Sequence, residues 1–181
     1  MILIIDTTME EKSLHNLEFV KPITDIIKKD YIVKHFLKLT KEDIEKANKI
    51  ILSGSAINDI TYEKNLNIFQ WLKKINKPVL GICAGFQIIA SIFGKQMTKC
   101  TEIGVVQIQK QTKDKFINSM IKNEAYELHK YSTDCPDDFI VLAKSDKCIQ
   151  AIKHQINPIY ATLFHPEVLN KEMIECFIKE I

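Results

Sequence analysis

The segment Pro78-Val-Leu-Gly-Ile-Cys-Ala-Gly-Phe-Gln87 passes from a short apolar strand, Pro78–Ile82, through Gly-x-Cys-x-Gly directly into a helical pattern, Gly85–Phe93. A strand that turns so sharply into a helix leaves the residue at the turn standing clear of both, and the flanking Gly81 and Gly85 let backbone and helix pass without a Cβ between them. Cys83 occupies that turn. Its position predicts an exposed thiol at a helix amino terminus, where unpaired N–H groups and the helix dipole favour the thiolate, the form that attacks carbon. The other cysteines, Cys100, Cys135, Cys148 and Cys176, have no such setting and read as packing or surface thiols.

Upstream of this elbow the chain alternates strand and helix. Ile2–Ile5 reads as a strand, Leu14–Lys29 as a helix and Tyr31–Phe36 as a second strand. Thr40 with Asp43 three residues on predicts a capped helix to Ala47, followed by a buried strand Lys49–Leu52 ending in Ser-Gly-Ser, and an amphipathic helix Tyr62–Ile75. Strands separated by helices predict an α/β fold with a mostly parallel sheet and helices on both faces. Downstream of Gly94 the pattern changes to strand-like runs joined by turns: Gly104–Gln109, Phe139–Ala143, Cys148–Lys153 and Ile159–Phe164. A final helix, Lys171–Lys179, has Asn170 as its candidate cap and Met173, Ile174 and Phe177 to pack inward. With no repeat, linker or low-complexity tract, the 181 residues predict one domain, 1–181.

Composition excludes more than it assigns. The net charge of +2 arises from 25 basic and 23 acidic residues scattered along the chain, so no basic stripe points to nucleic acid. No apolar run approaches the ~20 residues that cross a bilayer, and MILIID continues into acidic residues instead of a cleavage site, so the expectation is no membrane and a cytoplasmic location. The five cysteines are odd in number, widely spaced and without a CxxC pair, which argues against a disulfide framework and a zinc knuckle, and no metal is expected. No phosphate-binding loop is present, neither GxxxxGK with Ser or Thr nor GxGxxG after a strand, so no cofactor is expected and any nucleotide chemistry lies on another chain.

A nucleophilic thiol needs a base. His165, in Phe164-His-Pro-Glu-Val168, follows a strand, and strand ends are where parallel sheets place their chemistry. Pro166 holds the turn, and Glu167 is near enough to fix the imidazole tautomer and stabilise the imidazolium. A histidine beside a proline is more often structural; the separate elbow cysteine and the nearby carboxylate raise this one.

PVLGICAGFQ together with LFHPEV resembles the paired signatures of class I glutamine amidotransferases, and MILIID, ILSGS, the elbow and the terminal His-Pro-Glu follow that family's order over nearly the whole chain. The resemblance implies a flavodoxin-like sheet, glutamine as substrate and a triad of Cys83, His165 and Glu167. It further implies oxyanion donors at Ala84 and the Gly54–Ser55 loop, and a substrate contact from Gln87, one helical turn beyond Cys83. The later half is most similar to the glutaminase subunit of two-subunit GMP synthases, which places His129 on a loop that senses a docked synthetase. That subgroup implies an ATP-dependent partner, the GMP synthetase ATP-pyrophosphatase, receiving the ammonia. The chain departs from the subgroup at Tyr131, where an aspartate is usual, at Thr7-Thr8-Met9, and at Gly54-Ser55-Ala56 in place of Gly-Gly-Pro. The alternatives are a paralogue serving another synthetase, a stand-alone γ-glutamyl hydrolase, and a regulatory subunit without turnover.

Overall fold

In the computed structural model, which describes residues 1–11, 13–28 and 30–181, the chain opens with the wholly buried strand β1 (Ile2–Asp6). The helical pattern that follows is broken in two, α1 (Leu14–Phe19) and α2 (Lys21–Ile27), instead of running from Leu14 onward as one helix. Pro22 causes the break: it has no N–H for an intrahelical bond, and its ring would strike the carbonyl one turn back. The expected end of that helix, Lys29, lies outside the described residues.

β2 (Tyr31–His35) stops one residue before Phe36, which starts a single 3-10 turn. α3 (Lys41–Lys46) carries the expected capping box, with Thr40 and Asp43 bonding each other's backbone N–H reciprocally, worth about 1 kcal/mol. After β3 (Lys49–Leu52) the segment Thr61–Lys74 adopts 3-10 geometry, not the α-helix its amphipathic pattern suggests, with a non-helical break at Asn65. The Asn65 side chain donates to Thr61 O at 2.9 Å, taking the carbonyl that its own N–H would use in an α-helix.

β4 (Val79–Ile82) leads into α4 (Ala84–Ile92), and the close approach there depends on glycine. A Cβ on Gly81 would lie 2.6 Å from the Gly85 carbonyl carbon and oxygen, and one on Gly85 would lie 2.8 Å from Leu52 Cβ. The obstacle at Gly81 is backbone, which cannot swing aside. Gly81→Ala should therefore destabilise the fold at the upper end of overpacking costs, about 3 kcal/mol. For a chain of this size that lowers the melting temperature by roughly 6–12 °C, readable by thermal circular dichroism; an unchanged melting curve would mean β4 and α4 do not pack this closely.

The second half contains β5 (Met97–Gln107), the short β6 (Gln109–Lys110), α5 (Lys115–Asn118), β7 (Glu124–Thr133), β8 (Phe139–Lys144), β9 (Ile149–His154), β10 (Ile159–Thr162), α6 (Pro166–Leu169) and α7 (Lys171–Glu180). The main sheet has the order β2-β1-β3-β4-β10-β9-β8-β6. It is parallel from β2 to β10 and antiparallel beyond, so the strand-rich half extends the parallel core from one side. β5 is much longer than the expected Gly104–Gln109 and pairs, away from the main sheet, with β7, a strand that hydrophobic patterning alone did not single out.

Buried clusters lie on both sheet faces. One contains Ile4, Ile23, Phe116, Phe164 and Phe177, the other Leu3, Phe36, Phe69, Phe86 and Ile89. α7 contributes the expected Met173, Ile174 and Phe177. Asn170 occupies the cap position without capping; its amide donates to Glu124 O at 3.0 Å and ties α7 to β7 instead. Among the described residues no helix is long and apolar enough to cross a membrane.

The chain runs from β1 outward to β2 and returns across β1 to β3. Loops after β1, β3, β4 and β10 consequently meet at the carboxyl ends of parallel strands, the usual position of a site in such sheets.

Candidate active site

Cys83 lies between β4 and α4 with φ 49° and ψ −97°, a left-handed backbone that a residue with a Cβ rarely adopts. Two anchors hold it there: its N–H donates to Thr162 O on β10 at 2.8 Å, and its carbonyl accepts from Gln87 N at 3.1 Å in the first turn of α4. The thiol is 5% exposed, not free-standing as the elbow pattern suggested. The β5–β7 ribbon covers it, and Sγ faces Leu128 O at 3.8 Å. Ala84 begins α4, so its N–H has no intrahelical acceptor.

His165 follows β10. Its N–H donates to Tyr126 O on β7 at 2.9 Å, and its Nδ1 pairs with Glu167 Oε1 at 2.7 Å. Both side chains are about 2% exposed, and Nε2 has no hydrogen-bond partner among the described residues. Burial works against a charged ring here. The Glu167 carboxylate, and Cys83 when ionised, outweigh it and hold the imidazole well above its ordinary value. Phe19 packs on the ring at 5.8 Å between centroids. Gly54 leaves no room for a side chain, since a Cβ there would lie 2.7 Å from His165 Cε1.

The Gly54–Ser55 loop is braced from β1. Thr7 Oγ1 donates to Ser53 O at 2.9 Å and to Gly54 O at 3.2 Å, and Ser55 Oγ donates to Asp59. Ser55, Cys83, Ala84, Gln87, Leu128, His129 and Tyr131 share one narrow cleft. Gln87 is buried within it and not on the helix surface. Its Oε1 accepts from Tyr62 and its Nε2 donates to Tyr131 O at 2.8 Å, so its amide bridges the 3-10 segment and β7. Burial, with Cys83 and Asp59 nearby, pushes the Tyr62 phenol well above its ordinary value, which keeps it a donor.

His129 is not on a loop. It lies within β7, 2% exposed, with Nδ1 against Cys100 O at 3.0 Å and Nε2 between Glu127 Oε2 at 3.2 Å and Glu102 Oε2 at 3.6 Å. Burial pushes the Glu127 carboxyl up while His129 pulls it back. The sequence reading missed these two carboxylates and Tyr62. Glu127 was within reach of it, because Ala125, Glu127 and His129 alternate as an inward strand face requires; Glu102 and Tyr62 carry no local signal.

A buried thiol on a positive-φ strand-to-helix turn thus lies beside a buried imidazole–carboxylate pair. The chain belongs to the class-I glutamine amidotransferase family, whose model matches residues 3–180. It is 36% identical over 140 residues to a glutamine-hydrolyzing GMP synthase subunit of Pyrococcus abyssi, covering 72% of this chain and 73% of that one. Among solved structures it is similar to a candidate GMP synthase subunit from Thermoplasma acidophilum, with TM-score 0.81, 26% identity, and 98% and 92% of the two chains covered. It shares its fold with a glutamine amidotransferase from Thermotoga maritima, with TM-score 0.73, 19% identity, and 99% and 83% covered.

Proposed function

We propose that this chain hydrolyses glutamine to glutamate and ammonia, with Cys83 as nucleophile, His165 as acid and base and Glu167 as its orienting carboxylate, and that it supplies the ammonia to the ATP-dependent synthetase subunit of a two-subunit GMP synthase. One observation carries the chemistry: the positive-φ Cys83 turn lies beside a histidine whose Nδ1 is held by Glu167 and whose Nε2 has no other partner. The relatives that are glutamine-hydrolyzing GMP synthase subunits support the partner. Such a protein works where ATP and nucleotide are available, in the cytoplasm.

The cycle closes without a metal or redox step. The Cys83 thiolate forms a bond to the side-chain amide carbon, and the carbonyl π pair moves onto oxygen, where the Ala84 N–H and a backbone N–H of the Gly54–Ser55 loop receive it. His165 gives its Nε2 proton to the nitrogen, the C–N bond breaks, and ammonia leaves a γ-glutamyl thioester. His165 then takes a proton from water, the hydroxide adds to the thioester carbon, and the C–S bond breaks to release glutamate and restore the thiolate. Gln87 and the β7 backbone hold the amino-acid end. Ser55 in place of a second glycine is tolerable, because the loop contributes backbone and its hydroxyl is turned to Asp59.

Steady-state glutamate release tests the roles. His165→Ala should stop turnover, and Glu167→Gln should cost roughly 10–100-fold less than that, because an amide still fills the position but cannot stabilise the imidazolium. The same Glu167→Gln change should move the His165 titration downward in an NMR experiment on labelled histidine. The carboxylate favours the charged ring and burial opposes it, so removing the carboxylate leaves burial in control. A His165 titration that stays put would remove Glu167 from the site.

A further inference from the structure

Away from the catalytic cleft, the β5–β7 ribbon and the β8–β9 turn meet over a second cleft lined by Cys100, Ser132, Ser145 and Cys148. Beneath it, Cys100, Glu102 and Cys148 each offer one ligand atom, and the three atoms lie within 4.8 Å of one another. We infer that Cys100, Glu102 and Cys148 form a binding site for a thiophilic divalent cation of the zinc class, with its fourth position open to the cleft.

The donor chemistry selects the ion. Two thiolates and one carboxylate suit a borderline-soft d¹⁰ cation and not magnesium or calcium, which take all-oxygen shells. A tetrahedral ion with ~2.3 Å thiolate bonds spaces its ligand atoms roughly 3.5–3.8 Å apart, so shifts of about 1 Å or less bring the trio to that spacing; Cys148 Sγ is already 3.2 Å from Glu102 Oε2.

The site is also held from outside. Gln150 is fully buried, donates to Glu102 Oε2 at 2.7 Å and leaves its own Oε1 without a partner among the described residues. Ser145 Oγ donates to the same carboxylate oxygen at 2.9 Å and accepts from Cys148 N at 3.2 Å. Outer-shell bonds of this kind orient a ligating carboxylate. Lys147, on the rim, donates its ammonium to Thr101 O at 3.1 Å.

Binding releases the two thiol protons to solvent, forms two S–metal bonds and one O–metal bond, and needs no oxidant. Cys100 and Glu102 lie two residues apart on β5, Cys148 lies 46 residues beyond Glu102, and the two cysteines are not in a CxxC spacing, so only the packing of β5 against the β8–β9 turn completes the set. Glu102 also contacts His129, which lines the catalytic cleft, so occupancy bears on that cleft through one shared carboxylate. That consequence rests on the proposed glutaminase reading, whereas binding itself does not.

The test is titration of the reduced full-length chain with Co²⁺. One equivalent should bind with a thiolate-to-metal charge-transfer band in the near ultraviolet. The band should disappear in Cys100→Ser and in Cys148→Ser and persist in Cys83→Ala and Cys135→Ala. Gln150→Leu should weaken affinity about 10–100-fold, with circular dichroism verifying that each variant is folded. No band, a band that survives the Cys100→Ser/Cys148→Ser double variant, or a pair that only closes into a disulfide with oxidised glutathione would overturn the site. Because absorbance reads binding directly, a chain that takes up Co²⁺ but releases no glutamate would refute the proposed activity and leave the metal site standing.

Discussion

Cys83→Ala should abolish glutamate release, with a loss of ~10⁴-fold or more, while leaving the melting temperature nearly unchanged. The rate falls because no other thiol can reach the same place. Cys135 and Cys176 belong to other parts of the fold, and Cys100 and Cys148 line the second cleft. The fold survives because alanine keeps the Cβ that already occupies the positive-φ turn, so backbone strain is the same before and after the change. The sulfur's polar contacts are a long one to Leu128 O and the His165 imidazole beside it. Covalent labelling gives an independent reading. A diazoketone analogue of glutamine should modify Cys83 alone, since burial pushes the thiols of Cys135, Cys148 and Cys176 up and leaves them protonated at neutral pH. Dominant modification of Cys100 or Cys148 would sink the assignment of the nucleophile.

The parts of the site that could be read from sequence are those encoded within a few residues of each other. Gly-Ile-Cys-Ala-Gly specifies its own turn, because a residue other than glycine at either flank would strike backbone or the neighbouring strand. His165 and Glu167 form their pair across a single proline. What stayed hidden depends on partners far along the chain. β7 alternates polar and apolar residues without an apolar run, so it looked like a connection, and its pairing with β5 is what buries Cys83, Glu127 and His129. The same ribbon turned an expected loop histidine into a strand residue. The break at Pro22 was present in the sequence and was overridden by the helical spacing around it, whereas the break at Asn65 within Thr61–Lys74 reflects a single side chain competing for a carbonyl.

The cleft beside Cys83 has a closed form in this chain, and that carries the second large effect. Gln87 is bridged to Tyr62 on one side and to the β7 backbone at Tyr131 on the other, so both ends of the amide assigned to meet substrate are already engaged, and the cleft is narrow. Glutamine has to displace these bonds, which lowers the fraction of competent sites in the isolated chain by whatever the bridge is worth. The wall that would have to shift is the β5–β7 ribbon. Ile103 pairs with Leu128 and Val105 with Tyr126, and Ile103 and Val105 are 62% and 60% exposed, so a docked protein can reach the strand pair whose other residues line the cleft. The isolated chain should release glutamate slowly. Adding the ATP-pyrophosphatase subunit with XMP and ATP should raise the rate about 10–100-fold or more, the range of a typical coupling energy between sites. Tyr62→Phe breaks one end of the bridge and should raise the basal rate while shrinking the activation, a change that simple stabilisation by a partner would not produce. Full activity in the isolated chain would favour a stand-alone γ-glutamyl hydrolase. Activation by a different synthetase would move the chain to another acceptor, and silence in every mixture would mean a protein that keeps the fold without the turnover.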